Sequence, residues 1–210
     1  MAGTDWVAWH AGYDDPDSSL AHRLTIVRKR VGEALDGLGP RRRRVVSLCV
    51  GDGRDLLPEL AARPGAPIDA LLVELDPTLA DGARARVEAL GLAGVEVRTA
   101  DAGDPASFAD RLPVDLLMLC GIFGNVSDAD IKATIEAVPG MVKAGGFVIW
   151  TRGWFEREDL RPSLRGWCTG AGLVEIGYDA EPTGFGVGLY GIPRGVPATP
   201  LPDPLFTFTR

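Results

Sequence analysis

Two glycines, followed about twenty residues later by an acid, have the types and spacing that nucleotide binding requires. Gly51 and Gly53 interrupt the apolar stretch V-V-S-L-C-V-G-D-G-R-D-L-L that begins at Val45, and helical spacing follows them. Glu74 ends a second apolar run, L-L-V-E-L-D-P. Strand, glycine turn, helix, strand and acid form the layout of a nucleotide-binding βαβ unit. We therefore expect the glycines to let the backbone pass close beneath a ligand, and Glu74 to accept hydrogen bonds from both hydroxyls of a ribose.

The glycine turn lacks the features that a phosphate-containing ligand requires. A dinucleotide site has the pattern G-x-G-x-x-G, but this chain reads G-D-G-R-D-L from Gly51. Asp52 and Asp55 would place negative charge beside a pyrophosphate, and no G-K-[ST] triplet follows that would form a phosphate loop. A ligand with ribose and adenine but no phosphate fits better. S-adenosylmethionine (SAM) is such a ligand, and its sulfonium and ammonium groups tolerate nearby carboxylates.

The order and spacing of the motifs from about Val45 to Pro193 resemble those of class I SAM-dependent methyltransferases. The first motif of that family is usually E/D-x-G-x-G-x-G. Gly51 and Gly53 match its second and third glycines, whereas Ser47 stands at the acidic position and Cys49 at the first glycine. Later motifs follow in the family's order: an acid ending the second strand, an acid and a small residue after V-E-V-R-T-A, the fourth strand D-L-L-M-L-C, and the fifth strand G-G-F-V-I-W.

The resemblance implies SAM as the cofactor, S-adenosylhomocysteine (SAH) as its product, and a set of cofactor-binding residues. Glu74 would bind the ribose, and Asp101 and Ala102 would flank the adenine. In related enzymes with a leading helix, a tyrosine and an arginine from that region often reach the methionine carboxylate. The complete implied set is Tyr13, Arg23, Cys49, Gly51, Gly53, Glu74, Leu75, Asp101, Ala102, Cys120 and Gly121.

The segment W-V-A-W-H-A-G-Y-D-D near the N-terminus is the main candidate for contact with the methyl acceptor. It offers His10 as a general base, Tyr13 as a second catalytic candidate and Trp9 as a substrate contact. One interpretation is a lid that folds over the cofactor and holds these side chains near the donor methyl. The alternative is an ordered arm that only packs on the domain. The second histidine, His22, lies beside a helical apolar stripe, so we expect a surface or packing role.

Further substrate contacts are expected after the fourth and fifth strands. Phe123 and Asn125 follow the fourth strand, where the family usually meets its substrate. Trp154 and Phe155 follow the fifth strand and would wall an aromatic or apolar acceptor pocket, with core packing as the alternative. The sequence shows no cluster of metal ligands, and methyl transfer from SAM does not require a metal.

Length and composition indicate a single globular domain. The 210 residues are 46% hydrophobic and 24% charged, which is ordinary for a soluble protein. We expect an arm and helix over residues 1–40, a Rossmann-like core over 41–193 and an extended, proline-rich tail over 194–210. No apolar run is long enough for a transmembrane helix, no signal peptide is visible, and the three cysteines are too scattered for a disulfide framework. These features predict a cytoplasmic location.

The charge of the chain bears on its partners. A net charge of −7 disfavours nucleic acid and favours a small-molecule acceptor, with no membrane partner. We interpret the basic run Arg41 to Arg44 as a solvated loop that enters the first strand. A homo-oligomer is left open. The high content of arginine, alanine, glycine and proline indicates a GC-rich bacterial source, in which many such enzymes tailor secondary metabolites.

Helical and strand patterns alternate along the chain. Helical spacing begins at Ser18 or Ser19 and stops at Gly37. Later helices are predicted over 55–62, 77–90, 104–111, 128–138 and 159–171, and strands over 114–119, 147–151, 174–178 and 186–192. The alternation predicts an α/β fold, with a doubly wound, mostly parallel seven-stranded sheet and an N-terminal helical arm.

The function predicted is SAM-dependent methyl transfer to a small-molecule acceptor. A non-catalytic SAM-binding or regulatory module with the same fold is one alternative, for which Ser47 and Cys49 would be signs of drift. An NAD(P)-dependent reductase is a second. The missing third glycine and the lack of a Tyr-x-x-x-Lys pair disfavour it.

Overall fold

A seven-stranded sheet forms the centre of the protein. A computed structural model of the chain describes residues 6–65, 67–154, 159–181 and 184–209. The strands lie in the order β3-β2-β1-β4-β5-β7-β6. The first five are parallel, and β7 runs antiparallel to both β5 and β6. The strands are β1 Arg43–Leu48, β2 Ile68–Glu74, β3 Val95–Thr99, β4 Val114–Leu119, β5 Val142–Gly153, β6 Val174–Ala180 and β7 Phe185–Gly191. The prediction of a mostly parallel, seven-stranded sheet is confirmed.

The helices cover both faces of this sheet, and short side chains cap several of them. They are α1 Trp6–His10, α2 Ser19–Gly37, α3 Leu57–Ala61, α4 Pro77–Ala89, α5 Asp128–Met141 and α6 Arg161–Gly170. The Ser18 hydroxyl accepts from the Ala21 N–H at the start of α2, and Ser127 caps α5 in the same way. These caps satisfy backbone donors that the first helical turn leaves free. Within the described residues, no helix has both the length and the apolar character that a membrane crossing would need.

Several predicted boundaries were wrong. The predicted helix 55–62 is the shorter α3, because residues after Gly53 form turns before the helix begins. The predicted helix 104–111 consists of two short 3₁₀ helices, Pro105–Ser107 and Ala109–Arg111. The fifth strand begins at Val142 rather than Phe147, because α5 continues to Met141 and leads directly into it, with a register shift before Phe147.

The basic run at the entry to β1 is a solvated loop only in its first half, because Arg41 and Arg42 are exposed and precede the strand. Arg43 and Arg44 belong to the strand, and Arg43 is only 6% exposed. Its guanidinium donates to the Gly39 carbonyl oxygen at 2.8 Å and 3.1 Å. The backbone N–H of Arg44 donates to Asp115 Oδ2 at 2.8 Å, and its side chain pairs with Asp69. Carboxylates of the two neighbouring strands therefore hold Arg44 at the amino end of β1.

The tail is extended, as predicted, but it also packs on the core. Leu205 and Phe206 are buried, and the Leu205 N–H donates to the Gly103 carbonyl oxygen at 2.8 Å. Phe208 forms an isolated antiparallel bridge with Val126. The tail therefore closes over the loops at the carboxyl ends of the parallel strands.

Candidate active site

One cavity of about 490 Å³ lies at the carboxyl ends of β1, β2 and β4. The chain reverses its direction of winding between β1 and β4, and open α/β sheets bind ligands at such a switch point. The walls come from the arm, α2, the glycine turn, the loops after β2, β3 and β4, the end of β5 and the tail. Eleven predicted site residues line it: Trp9, His10, Tyr13, Arg23, Cys49, Glu74, Leu75, Ala102, Cys120, Gly121 and Asn125.

The glycine turn depends on left-handed backbone at three alternate positions. Cys49, Gly51 and Gly53 have φ values of 56°, 59° and 74°. Cys49 stands where the resemblance calls for a glycine, and it keeps the conformation that glycine adopts most easily. A Cβ on Gly51 would overlap Nε2 of His10, whereas a Cβ on Gly53 would lie 2.6 Å from Leu57 Cδ1. The lack of a Cβ at Gly51 therefore lets His10 of the arm pack against the turn, and the lack of a Cβ at Gly53 lets Leu57 of α3 pack closely.

Glu74 links the end of β2 to the glycine turn. It is 8% exposed, and its Oε2 accepts from the Gly51 N–H at 2.7 Å, while Oε1 accepts from the Asp76 N–H at 2.9 Å. An ionised carboxylate has about four acceptor positions. These two bonds orient the group and leave capacity for further donors. The structure thus presents a fixed, partly unsatisfied carboxylate to the cavity.

His10 lies above the glycine turn with one ring nitrogen already engaged. Its Nδ1 is 2.8 Å from the Trp6 carbonyl oxygen. Because a carbonyl only accepts, Nδ1 carries the hydrogen in this arrangement, and Nε2 of a neutral ring has a free lone pair. That nitrogen faces Gly51 beside the cavity. The ring therefore presents an acceptor nitrogen to the glycine turn, at the wall of the cavity.

Aromatic and arginine contacts hold the arm in place. Arg23 donates to the Tyr13 hydroxyl at 2.6 Å, and its guanidinium carbon lies 5.4 Å from the centre of the Trp9 ring. Arg54 approaches the Tyr13 ring to 5.0 Å and pairs with Asp14 at 3.1 Å. Cation–π contacts of this kind stabilise by about 0.5–2 kcal/mol each. The arm is thus fastened to α2 and to the glycine turn.

Burial changes the acid–base character of two further side chains at the cavity. Burial raises the pKa of the Tyr13 phenol above its ordinary value of 10.0, and Arg23 offsets part of that change. Burial also raises the pKa of the Cys120 thiol. Both groups therefore stay protonated at neutral pH, so Tyr13 is suited to hydrogen bonding and not to removing a proton.

Other predicted site residues lie elsewhere. Phe123 is fully buried in the core, so we no longer expect it to contact a substrate. Asp101 is exposed, and its Oδ1 accepts from the Gly103 N–H at 2.7 Å, as a turn-forming aspartate does. Trp154 does not line the cavity, and its backbone N–H donates to the Gly184 carbonyl oxygen. Phe155 lies outside the described residues. His22 pairs with Glu181 on the surface.

Several cavity residues were not in the predicted site, among them Asp55 and Phe208. Asp55 follows the glycine turn directly, and its Oδ1 is buried without a hydrogen-bond partner in the described part of the chain. Burial raises the pKa of its carboxyl to about 6. Its position after G-D-G was a usable signal, because loops at this edge carry ligand contacts. Phe208 arrives from the tail, and no local pattern indicated it.

Replacing Gly51 with alanine tests the contact between the turn and the arm. We expect the variant to lose about 1–2 kcal/mol of unfolding free energy from its left-handed backbone, and also to displace His10. Gly91→Ala is the matched control, because Gly91 has φ 62° with open space around its Cβ position. Thermal unfolding should fall similarly in both variants, whereas proteolysis of the arm should accelerate only in Gly51→Ala. Equal arm protection in both would contradict the contact.

The fold of this chain is similar to that of several solved structures. No protein-family model and no curated protein matches the sequence. An O-methyltransferase family protein from Burkholderia thailandensis superposes with a TM-score of 0.67 at 21% identity, over 91% of this chain and 61% of that one. Magnesium protoporphyrin IX methyltransferase from Synechocystis, with bound SAM, superposes with a TM-score of 0.68 at 11% identity, over 90% and 92% of the two chains.

A third structure extends the comparison. It is an O-methyltransferase family 2 protein from Planctomyces limnophilus in complex with apigenin, with a TM-score of 0.61 at 17% identity. The alignment covers 82% of this chain and 59% of that one. This chain thus spans about three fifths of the length of the Burkholderia and Planctomyces proteins. The chain has the fold of the class I SAM-dependent methyltransferases.

Proposed function

We propose that this protein transfers a methyl group from SAM to a small-molecule acceptor. The observation that carries the proposal is Glu74: a carboxylate at the end of β2, fixed by the glycine turn and facing a cavity at the switch point of a methyltransferase fold. A carboxylate placed there suits the two hydroxyls of a ribose. The lack of phosphate-binding features in the turn favours SAM over a dinucleotide.

The cavity residues suggest how the donor would be held. Glu74 would accept from the ribose, and Ala102 would lie against the adenine. Gly121 is positioned at the exit of β4 because its N–H donates to Thr151 Oγ1 of β5 at 2.9 Å. The sulfonium of SAM is already an excellent leaving group, so the protein contributes mainly by positioning and by excluding water.

His10 is the candidate base for an oxygen nucleophile. With Nδ1 bonded to the Trp6 carbonyl, Nε2 faces Gly51 at the wall of the cavity, and there it would accept the acceptor's hydroxyl proton as the acceptor oxygen attacks the methyl carbon. Trp9 and Asn125 line the same cavity and would contact the acceptor. The Asn125 side chain is oriented by donating to the Gly121 carbonyl oxygen at 2.9 Å.

A small molecule is the acceptor class that the site favours. The arm limits the mouth of a cavity whose volume is of the size that small ligands occupy. The net charge of −7 disfavours a nucleic-acid substrate. The apigenin complex of the Planctomyces protein shows that a neighbour of this fold binds a small aromatic molecule. The three free cysteines accord with the proposed cytoplasmic location.

Calorimetry separates this proposal from its alternatives. We expect SAM and SAH to bind and NADH and NADPH not to bind. Turnover is then measured as SAH release with a panel of phenols, carboxylic acids and amines. Binding of SAM without turnover on any acceptor would favour a non-catalytic module, and binding of NADH instead of SAM would favour a reductase.

The arm is proposed to act as a lid over the bound donor. Arg54 joins it to the glycine turn through Asp14 and Asp52, so ligand binding at the turn should stabilise the arm. We expect SAH to slow hydrogen exchange of the amides of residues 6–14, and deletion of residues 1–17 to lower turnover more than thermal stability. Unchanged exchange of the arm with saturating SAH would argue against a lid.

A further inference from the structure

We propose that Asp55 accepts hydrogen bonds from the ammonium group of the donor's methionine moiety, and so makes the cavity selective for SAM and SAH over adenosine ligands that lack an amino acid. This inference rests on the proposed function. The first motif of the family has an acid at the position of Ser47. We infer that Asp55 supplies the negative charge that Ser47 lacks.

The first support is the state of the Asp55 carboxylate. Asp55 lines the cavity, and its Oδ1 is buried without a hydrogen-bond partner among the described residues. A buried acceptor that lacks a donor costs about 1–3 kcal/mol. The backbone N–H groups of Asp55 and Leu56 favour its charged form but leave Oδ1 unsatisfied. A ligand cation at this point would satisfy it.

The second support is that Asp52 and Glu74, two other carboxylates at the cavity, already have hydrogen-bond or ion-pair partners. Asp52 pairs with Arg54 at 2.7 Å and Arg86 at 3.1 Å. Burial alone would raise the pKa of Asp52, but these arginines outweigh it and lower the pKa. Glu74 accepts from two backbone N–H groups. Of these three acids, Asp55 alone has a buried oxygen that needs a donor.

The third support is a cation that lines the same cavity. Arg23 lines the cavity near Asp55, yet no ion pair within 4.0 Å joins them in the described part of the chain. Among the described residues the Arg23 side chain donates a hydrogen bond to the Tyr13 hydroxyl, which leaves most of its five N–H donors available for a carboxylate. A carboxylate and a guanidinium that line one cavity without pairing with each other suit an α-amino acid zwitterion, with its ammonium toward Asp55 and its carboxylate toward Arg23.

The fourth support is the residue at the motif's acidic position. Ser47 is 1% exposed within β1 and does not line the cavity. Its hydroxyl has no charge with which to balance an ammonium group. The glycine turn places Asp55 at the cavity instead, eight positions later in the sequence. The carboxylate at the cavity therefore comes from a residue that follows the glycine turn, not from one that precedes it.

Binding of SAH and 5′-methylthioadenosine to the wild type and to Asp55→Asn tests the inference by calorimetry. The second ligand shares the adenosine and sulfur of SAH but has no amino acid. We expect Asp55→Asn to weaken SAH binding by about 10- to 100-fold and to leave 5′-methylthioadenosine binding within about twofold. Asparagine has nearly the same shape, so thermal unfolding should stay close to that of the wild type.

Asp52→Asn is the matched control, because it removes a neighbouring carboxylate that arginines already neutralise. We expect it to change both affinities by the same factor. Loss of both ligands in Asp55→Asn, or of neither, would overturn the inference. A wild type that binds neither ligand would refute the proposed function itself, so the two failures are distinguishable.

The pH dependence of the affinity ratio gives a second measurement. The charged or titratable groups that act on Asp55 are Arg23 of α2, Tyr13 of the arm, Cys120 after β4 and Asp52 of the turn. Only the ionised carboxylate attracts an ammonium group, so the preference for SAH should be full above pH 7 and decline as the pH falls through about 6, the pKa of Asp55. In Asp55→Asn the ratio should not change over this range. A wild-type ratio independent of pH would contradict the assignment.

Discussion

Replacement of Glu74 with alanine is expected to weaken SAM binding by about 1.5–3 kcal/mol, or about 10- to 150-fold, because charge-assisted hydrogen bonds to the ribose are lost. The same change removes the acceptor of the Gly51 and Asp76 N–H groups, so the glycine turn should also lose stability. Calorimetry with SAM and thermal unfolding of the same samples measure the two effects separately.

Two further variants make this result specific. Glu74→Gln keeps one carbonyl oxygen, so we expect a smaller loss of affinity than in the alanine variant. Glu96→Ala removes an exposed carboxylate on β3 that pairs with Arg98 and Arg111, and it should leave SAM affinity unchanged. If folded Glu74→Ala binds SAM as tightly as the wild type, the ribose assignment is wrong.

Replacement of His10 with alanine is expected to reduce turnover by about 100-fold or more while SAM affinity stays nearly unchanged. The reason is that a positioned general base contributes about 10²–10⁴-fold to such a reaction. The Trp6 carbonyl fixes the ring so that Nε2 faces Gly51 at the wall of the cavity. Single-turnover rates with a hydroxyl acceptor measure the chemical step directly.

The second histidine supplies the control for this prediction. His22 has a 56% exposed side chain and pairs with Glu181 away from the glycine turn, so His22→Ala should keep wild-type turnover. A His10→Ala enzyme with wild-type turnover would eliminate the base assignment, and the proposed lid would still stand. A loss confined to SAM affinity would instead assign His10 to donor binding.

Local patterns in the sequence determined most of the sheet and its helices. The strand over 114–119 is correct to the residue, because a run that is apolar except for Asp115 and is buried on both faces has few other solutions. The boundaries of α2 and α4 were close, since Ser18, Gly37 and Pro77 are local signals for helix ends. Glu74 was predictable for the same reason: a carboxylate that ends a buried strand must lie at the sheet edge.

Tertiary structure alone decided which side chains meet at that edge. Phe123 and Asn125 are two residues apart, yet one lies in the core and the other at the cavity, because the turn after β4 sets their directions. Phe208 reaches the cavity from the tail through a bridge to Val126, a contact between segments far apart in sequence.

The isolation of Asp55 depends on geometry in the same way. Asp52 has arginine partners, whereas Asp55 Oδ1 has no partner in the part of the chain that the structure describes, although both follow Gly51 within four residues. The sequence supplied the acids and arginines of this edge. Which charges were neutralised and which were left for a ligand depended on side-chain directions and burial, and these are fixed only when the arm, α2 and the glycine turn pack together.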